Sequence, residues 1–96
     1  MWLLRTDENR TPAFSFRIPP GTIKTIGRSP GADFILDATL VSRLHCRLSA
    51  GAAELRVDDL DSTNGTYVNG ARIDQAALKT GDKLGVGEVE LIISRA

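Results

Sequence analysis

Ninety-six residues with a mass of 10.4 kDa are enough for one small domain around one core. Apolar residues at 42% and charged residues at 25% match a folding globular chain, and twelve Lys and Arg against twelve Asp and Glu cancel to zero formal charge. That balance excludes a global basic field for nucleic acid or an anionic membrane, while one Cys and one His exclude an internal disulfide and a Cys/His metal set.

Trp2 to Arg5 and Ala13 to Ile18 read as the first two strands, the second alternating Phe14, Phe16 and Ile18 with Ser15 and Arg17. The polar stretch Asp7 to Pro12 connects them. Pro19-Pro20-Gly21 is a turn, and the β-branched run Thr22 to Ile26 is a third strand that Gly27-Arg28-Ser29-Pro30-Gly31 interrupts, which puts Arg28 on a loop. Asp33 to Leu36 is a short strand. After a connection over Asp37 to Leu44, strands follow at His45 to Leu48 and Ala53 to Val57, turned by Ser49 to Ala52. A second polar loop, Asp58 to Gly65, leads to Thr66 to Val68, and Asn69-Gly70 predicts a tight hairpin back into Ala71 to Ile73. Gln75 to Leu78 is the one candidate for a helical turn, too short to stand alone. Lys83 to Val86 and Val89 to Ile93 form a last hairpin around Gly87.

Ten or eleven short strands, punctuated by nine Gly and four Pro, predict an all-β sandwich or barrel. No apolar run approaches the roughly 20 residues that cross a bilayer, and Met1 to Glu8 has no long apolar signal region, so the expectation is a soluble, cytoplasmic protein.

Three loop clusters gather the fixed donors that suit a phosphate: Gly27-Arg28, Ser42-Arg43-Leu44-His45 and Ser62-Thr63-Asn64-Gly65-Thr66. Each alone has an ordinary explanation. An Arg after a Gly is commonly a solvated side chain, and Asn64-Gly65 and Asn69-Gly70 both suit plain turns. In this order and spacing they resemble the forkhead-associated (FHA) domain: Gly-Arg, 13 residues, Ser-Arg-x-His, 16 residues, Ser-x-Asn-Gly-Thr, then Val68-Asn69-Gly70. Asp33, Ile35, Asp61 and the closing Leu78-x-x-Gly81-Asp82-x-Leu84 belong to the same likeness, which runs over residues 2 to 94.

The resemblance implies a twisted FHA-like β-sandwich of about 11 short, mostly antiparallel strands with binding loops at one end. Residues 1–96 would be a single domain with its motif core over 22–94. It also implies a phosphothreonine-binding adaptor for signalling or assembly, not an enzyme. Arg28, Ser42 and Thr63 would hold the phosphate, while Asn64 grips peptide backbone and Arg43 adds a further contact. Gly27, His45 and Gly65 would support the site. Partners would be Thr-phosphorylated proteins, the products of a Ser/Thr kinase, with no cofactor, metal, nucleic acid or membrane involved and with a monomer as the binding species.

Elementary chemistry agrees with those roles. A phosphothreonine carries about −1.5 to −2 charge and three acceptor oxygens, and a guanidinium meets two of them with parallel N–H bonds. Hydroxyls close on the rest without adding charge. The alternative for Arg43 is a solvated side chain. Cys46 is a small buried hydrophobe, and Gly65 and Gly27 would allow a positive φ or a close backbone approach. A catalytic grouping of Ser42 and His45 with Asp58, Asp59 or Asp61 lacks the exposed Gly-x-Ser-x-Gly elbow of such enzymes. The alternative function is phosphate-independent assembly through the same sandwich. Thr6 and Thr11, near the N-terminal strand and loop, are candidates for modification and capture by a neighbouring copy.

Overall fold

A computed structural model describes all residues 1–96. Eleven strands, with no helix, run in chain order as β1 (Trp2–Arg5), β2 (Ser15–Ile18), β3 (Ile23–Gly27), β4 (Phe34–Ile35), β5 (Cys46–Ala50), β6 (Leu55–Asp59), β7 (Thr66–Val68), β8 (Ala71–Ile73), β9 (Gln75–Leu78), β10 (Lys83–Val86) and β11 (Val89–Arg95). They form a six-stranded sheet, β2-β1-β11-β10-β7-β8, facing a five-stranded one, β4-β3-β5-β6-β9.

The alternation read from the sequence is what the two layers bury. Cys46, Leu48 and Ala50 of β5, Leu55 and Val57 of β6, Leu84 and Val86 of β10, and Val89, Leu91 and Ile93 of β11 point between the sheets, with Trp2, Leu4, Ile18 and Ile26. Each large aliphatic side chain fully removed from water contributes about 1.5–3 kcal/mol. All pairings are antiparallel except β3 with β4, where Ile26 faces Phe34 and Gly27 faces Ile35.

Two devices close the sides of the sandwich. The Phe16 ring on edge strand β2 stacks on Phe34 of edge strand β4 at 4.8 Å and 10°, joining the two sheets. On the other side the chain leaves β8 at the edge of one sheet and, after Asp74, becomes β9 at the edge of the other. Here the structure corrects the sequence reading, because Gln75 to Leu78 is a strand and not a helical turn. β6 offers an open edge that pairs Leu55 with Leu78 and Val57 with Ala76, so burial of alternate residues overrides the helix propensity of Ala and Gln. β5 and β6 also lie about two residues later than the sequence predicts, since the turn closes through Gly51 N–H donating to Glu54 carbonyl at 2.7 Å.

Both predicted hairpins form. Asn69 and Gly70 adopt φ of +51° and +85°, the left-handed pair of a type I′ loop, and Gly87 at +61° opens the β10–β11 turn. The segments after β3, before β5 and before β7 gather at one end with the β10–β11 turn, and the Asn69-Gly70 turn lies at the other.

Candidate functional site

Arg28, Ser42, Arg43, Thr63 and Asn64 line one surface depression of about 300 Å³ together with Leu40 and Val41. Three larger depressions exist, about 470 Å³ beside Arg5 to Glu8, about 460 Å³ beside Arg10 and Glu88, and about 340 Å³ beside Glu54 and Arg56. The first two each set one Arg against two carboxylates and the third sets Arg56 against Glu54, whereas the smallest holds two guanidinium groups and no acid. Charge, not size, sets this depression apart.

Gly27 permits the assembly. A Cβ there would run into the carbonyl oxygen of Arg43, with Arg43 C at 2.7 Å and Leu44 Cα at 2.9 Å. The reason is close approach and not a left-handed φ. That proximity lets Arg28 N–H donate to Ser42 carbonyl at 3.0 Å and Ser29 N–H to Arg43 carbonyl at 3.1 Å. The backbones carrying the two arginines are therefore stitched together, while both side chains stay exposed and without an ion pair.

His45 supports the next layer. Its ring is fully buried; Nδ1 accepts from Ser42 N–H at 3.0 Å and Nε2 lies 2.8 Å from the Gly65 carbonyl. An N–H donor on one side and a carbonyl on the other require the neutral Nε2–H tautomer. Both ring nitrogens are thus occupied by backbone, and the Ser42 hydroxyl accepts Thr63 N–H at 3.0 Å, so the ring is not paired as a base to that hydroxyl. Ser42 Oγ keeps its own proton free to donate to a ligand.

Asp59, at the end of β6, organises the loop that bears Thr63 and Asn64. Its carboxylate accepts from Ser62 Oγ at 2.6 Å, Thr66 Oγ1 at 2.7 Å and Ser62 N–H at 3.2 Å. Partial burial pushes this carboxyl up, but those hydrogen bonds outweigh it and hold Asp59 below its ordinary value. Ser62 Oγ in turn accepts Gly65 N–H at 3.0 Å, and Gly65 takes φ +87°. The sequence reading treats Asp59 only as a rejected catalytic partner; serine and threonine three and seven residues downstream of it were the available signal for a loop-ordering acceptor.

Leu40 and Val41 complete the lining of the depression. Leu40 has φ +70° and is 52% exposed at the rim, and its carbonyl accepts from Asn64 Nδ2 at 3.2 Å. Asn64 therefore ties two loops and still has its amide oxygen and one N–H for a ligand. From below, Glu88 N–H donates to Thr39 carbonyl at 3.2 Å, and Arg10 pairs with Glu88 at 3.1 Å. A second hub, also unread, is Asn69, whose side chain donates to buried Asp82 at 3.1 Å and accepts Lys83 N–H at 3.0 Å. Of the two candidate modification sites, Thr6 is buried with its hydroxyl bonded to the Phe14 backbone at 2.9 and 3.3 Å, while Thr11 is exposed. No cluster of three His, Cys, Asp or Glu side chains suited to a metal ion is present.

The FHA domain family model matches residues 24–87. The chain is 40% identical over 79 residues to the ABC transporter ATP-binding/permease protein Rv1747 of Mycobacterium tuberculosis, covering 80% of this chain and 9% of that protein. It is 41% identical over 66 residues to the glycogen accumulation regulator GarA of Mycolicibacterium smegmatis, covering 69% of this chain and 42% of the relative. A solved structure from "Structural and functional analysis of phosphothreonine-dependent FHA domain interactions" superposes with a TM-score of 0.83 at 33% identity, over 99% of this chain and 96% of that one. The chain thus spans less than half the length of these two curated relatives. It belongs to the FHA family.

Proposed function

We propose that residues 1–96 act as one FHA domain that binds phosphothreonine in a partner protein, an adaptor that does no chemistry on its ligand. One observation carries the reading: two unpaired guanidinium groups, two hydroxyls and a side-chain amide share one depression that holds no carboxylate. Two cations balance the charge of about −1.5 to −2 on the phosphoryl group. In this reading Arg28 takes two phosphate oxygens, Ser42 and Thr63 hydroxyls donate to the phosphate, Arg43 adds a second cation, and Asn64 holds the backbone of an extended peptide. Gly27, His45 and Gly65 maintain the spacing of the three loops. The partner is the product of a Ser/Thr kinase, and the binding species is a monomer. A kinase-linked role and a lone reduced Cys46 fit a cytoplasmic setting; no helix in the structure is long and apolar enough to cross a membrane.

Fluorescence anisotropy with a phosphothreonine peptide, its unphosphorylated twin and its phosphoserine twin tests this. Only the first should bind tightly, the missing methyl of phosphoserine costing about 1–3 kcal/mol. Arg28→Ala should weaken binding by about 2–5 kcal/mol, and Arg28→Lys should not restore it, because a point charge cannot meet two oxygens in parallel. Equal binding of phosphorylated and unphosphorylated peptides, or of Arg28→Ala and the parent, would transfer the case to phosphate-independent assembly.

A further inference from the structure

We propose that Arg72 is a specificity-determining residue of this site, forming a separate cationic subsite that selects an acidic side chain on the peptide. It rests on the phosphothreonine reading above. By position Arg72 is an ordinary outward residue of edge strand β8, directly opposite Tyr67 of β7. Its side chain does not stay there. A Cβ built on Gly65 would lie 2.8 Å from Arg72 Nε, 3.0 Å from Cζ and 3.3 Å from Cδ, so the guanidinium rests on the Gly65 backbone. Gly65 is two residues before Tyr67, about 7 Å along the strand toward the binding loops. Tyr67 leans away, its Cβ and Cδ1 lying 3.1 and 3.9 Å from the Cβ position of Gly85.

Two further facts give this placement a consequence. Arg72 is exposed and makes neither an ion pair nor a side-chain hydrogen bond, unlike Arg10, Arg47, Arg56 and Arg95. It is also absent from the lining of the phosphate depression, with exposed Asn64 adjoining Gly65 between them. A cation already packed against backbone has lost part of its side-chain freedom before binding, so a carboxylate meeting it costs less ordering than one meeting a free arginine. The residue it meets is not the phosphothreonine, whose charge Arg28 and Arg43 already balance. It is a neighbouring carboxylate on the side of the peptide that passes Asn64 and Gly65. Gly65 therefore has two roles, the left-handed turn and the empty place that Arg72 occupies.

The test uses a phosphothreonine peptide with Ala at every flanking position, and variants carrying a single Asp or Lys at each position in turn. With the parent protein at low salt, Asp at one position should raise affinity about 3- to 10-fold, a gain that fades with added salt. Arg72→Ala should abolish that gain and Arg72→Glu should transfer it to Lys at the same position. The proposal is overturned if no position responds, if the gain persists in Arg72→Ala, or if Arg72→Ala weakens every peptide by one common factor, the mark of a purely structural prop. Failure of the phosphothreonine reading looks different: the all-Ala phosphopeptide would then not bind the parent protein at all.

Discussion

Replacing His45 with Leu tests whether the site is held together from beneath. Leu keeps most of the buried bulk, so the loss is dominated by two hydrogen bonds: Ser42 N–H loses its acceptor and the Gly65 carbonyl its donor, both beneath the binding loops. A buried polar group left unpaired costs about 1–3 kcal/mol, so the pair costs about 2–6 kcal/mol. Domains of this length gain or lose about 4–8 °C of melting temperature per kcal/mol, so a central loss of about 4 kcal/mol lowers Tm by about 15–30 °C. Thermal unfolding followed by circular dichroism reads the first effect. Phosphopeptide anisotropy at a temperature where the variant is still folded reads the second, an affinity at least about tenfold weaker because Ser42 and the Thr63-Gly65 turn are no longer tied together. A Tm drop under about 5 °C with unchanged affinity would refute the argument.

Gly27→Ala should destabilise the fold by about 2–4 kcal/mol and abolish peptide binding, since the new methyl can be accommodated only by parting the Arg28–Ser42 and Ser29–Arg43 backbone bonds; urea unfolding and anisotropy measure both. Gly87→Ala, at φ +61° with Leu40 C and Thr39 O each 2.8 Å from the new carbon, should cost about 1–3 kcal/mol and lower affinity through the 37–41 segment, without touching any phosphate contact. For Asp59, the native carboxyl titrates below its ordinary 3.8, so its stabilisation is complete above that value and is lost as pH falls through the lower, native one. Acid titration of stability should therefore show a decline below about pH 4 that Asp59→Asn flattens. Burial pushes the Cys46 thiol far up, so a thiol reagent at neutral pH should label it only after unfolding; rapid labelling of the native protein would contradict its burial.

Much of this protein was legible from residue order alone. Period-two runs such as Phe14-Ser15-Phe16-Arg17-Ile18, cut by Gly and Pro, specify strands because a strand turns alternate side chains to opposite faces whatever its partner. The left-handed demand of a two-residue hairpin is equally local, so Asn69-Gly70 announced its turn. The loops carrying Arg28, Ser42, Arg43, Thr63 and Asn64 stood out by residue type, and it was the family resemblance that implied their roles, phosphate for Arg28, Ser42 and Thr63, peptide backbone for Asn64 and a further contact for Arg43.

The tertiary structure decided whatever depends on one segment meeting another. Gln75 to Leu78 is a strand only because β6 presents an open edge, a fact written some twenty residues away from it. Gly27 answers to the Arg43 carbonyl, Gly87 to Thr39 and Leu40, and Gly65 to Arg72, collisions that no property of glycine reveals. The imidazole of His45 could have faced any polar neighbour until folding set Ser42 N–H on one nitrogen and the Gly65 carbonyl on the other. Local sterics and alternation act over a few bonds and so can be read from a string of residues; contact and electrostatics act through space, and only the folded chain sets those distances.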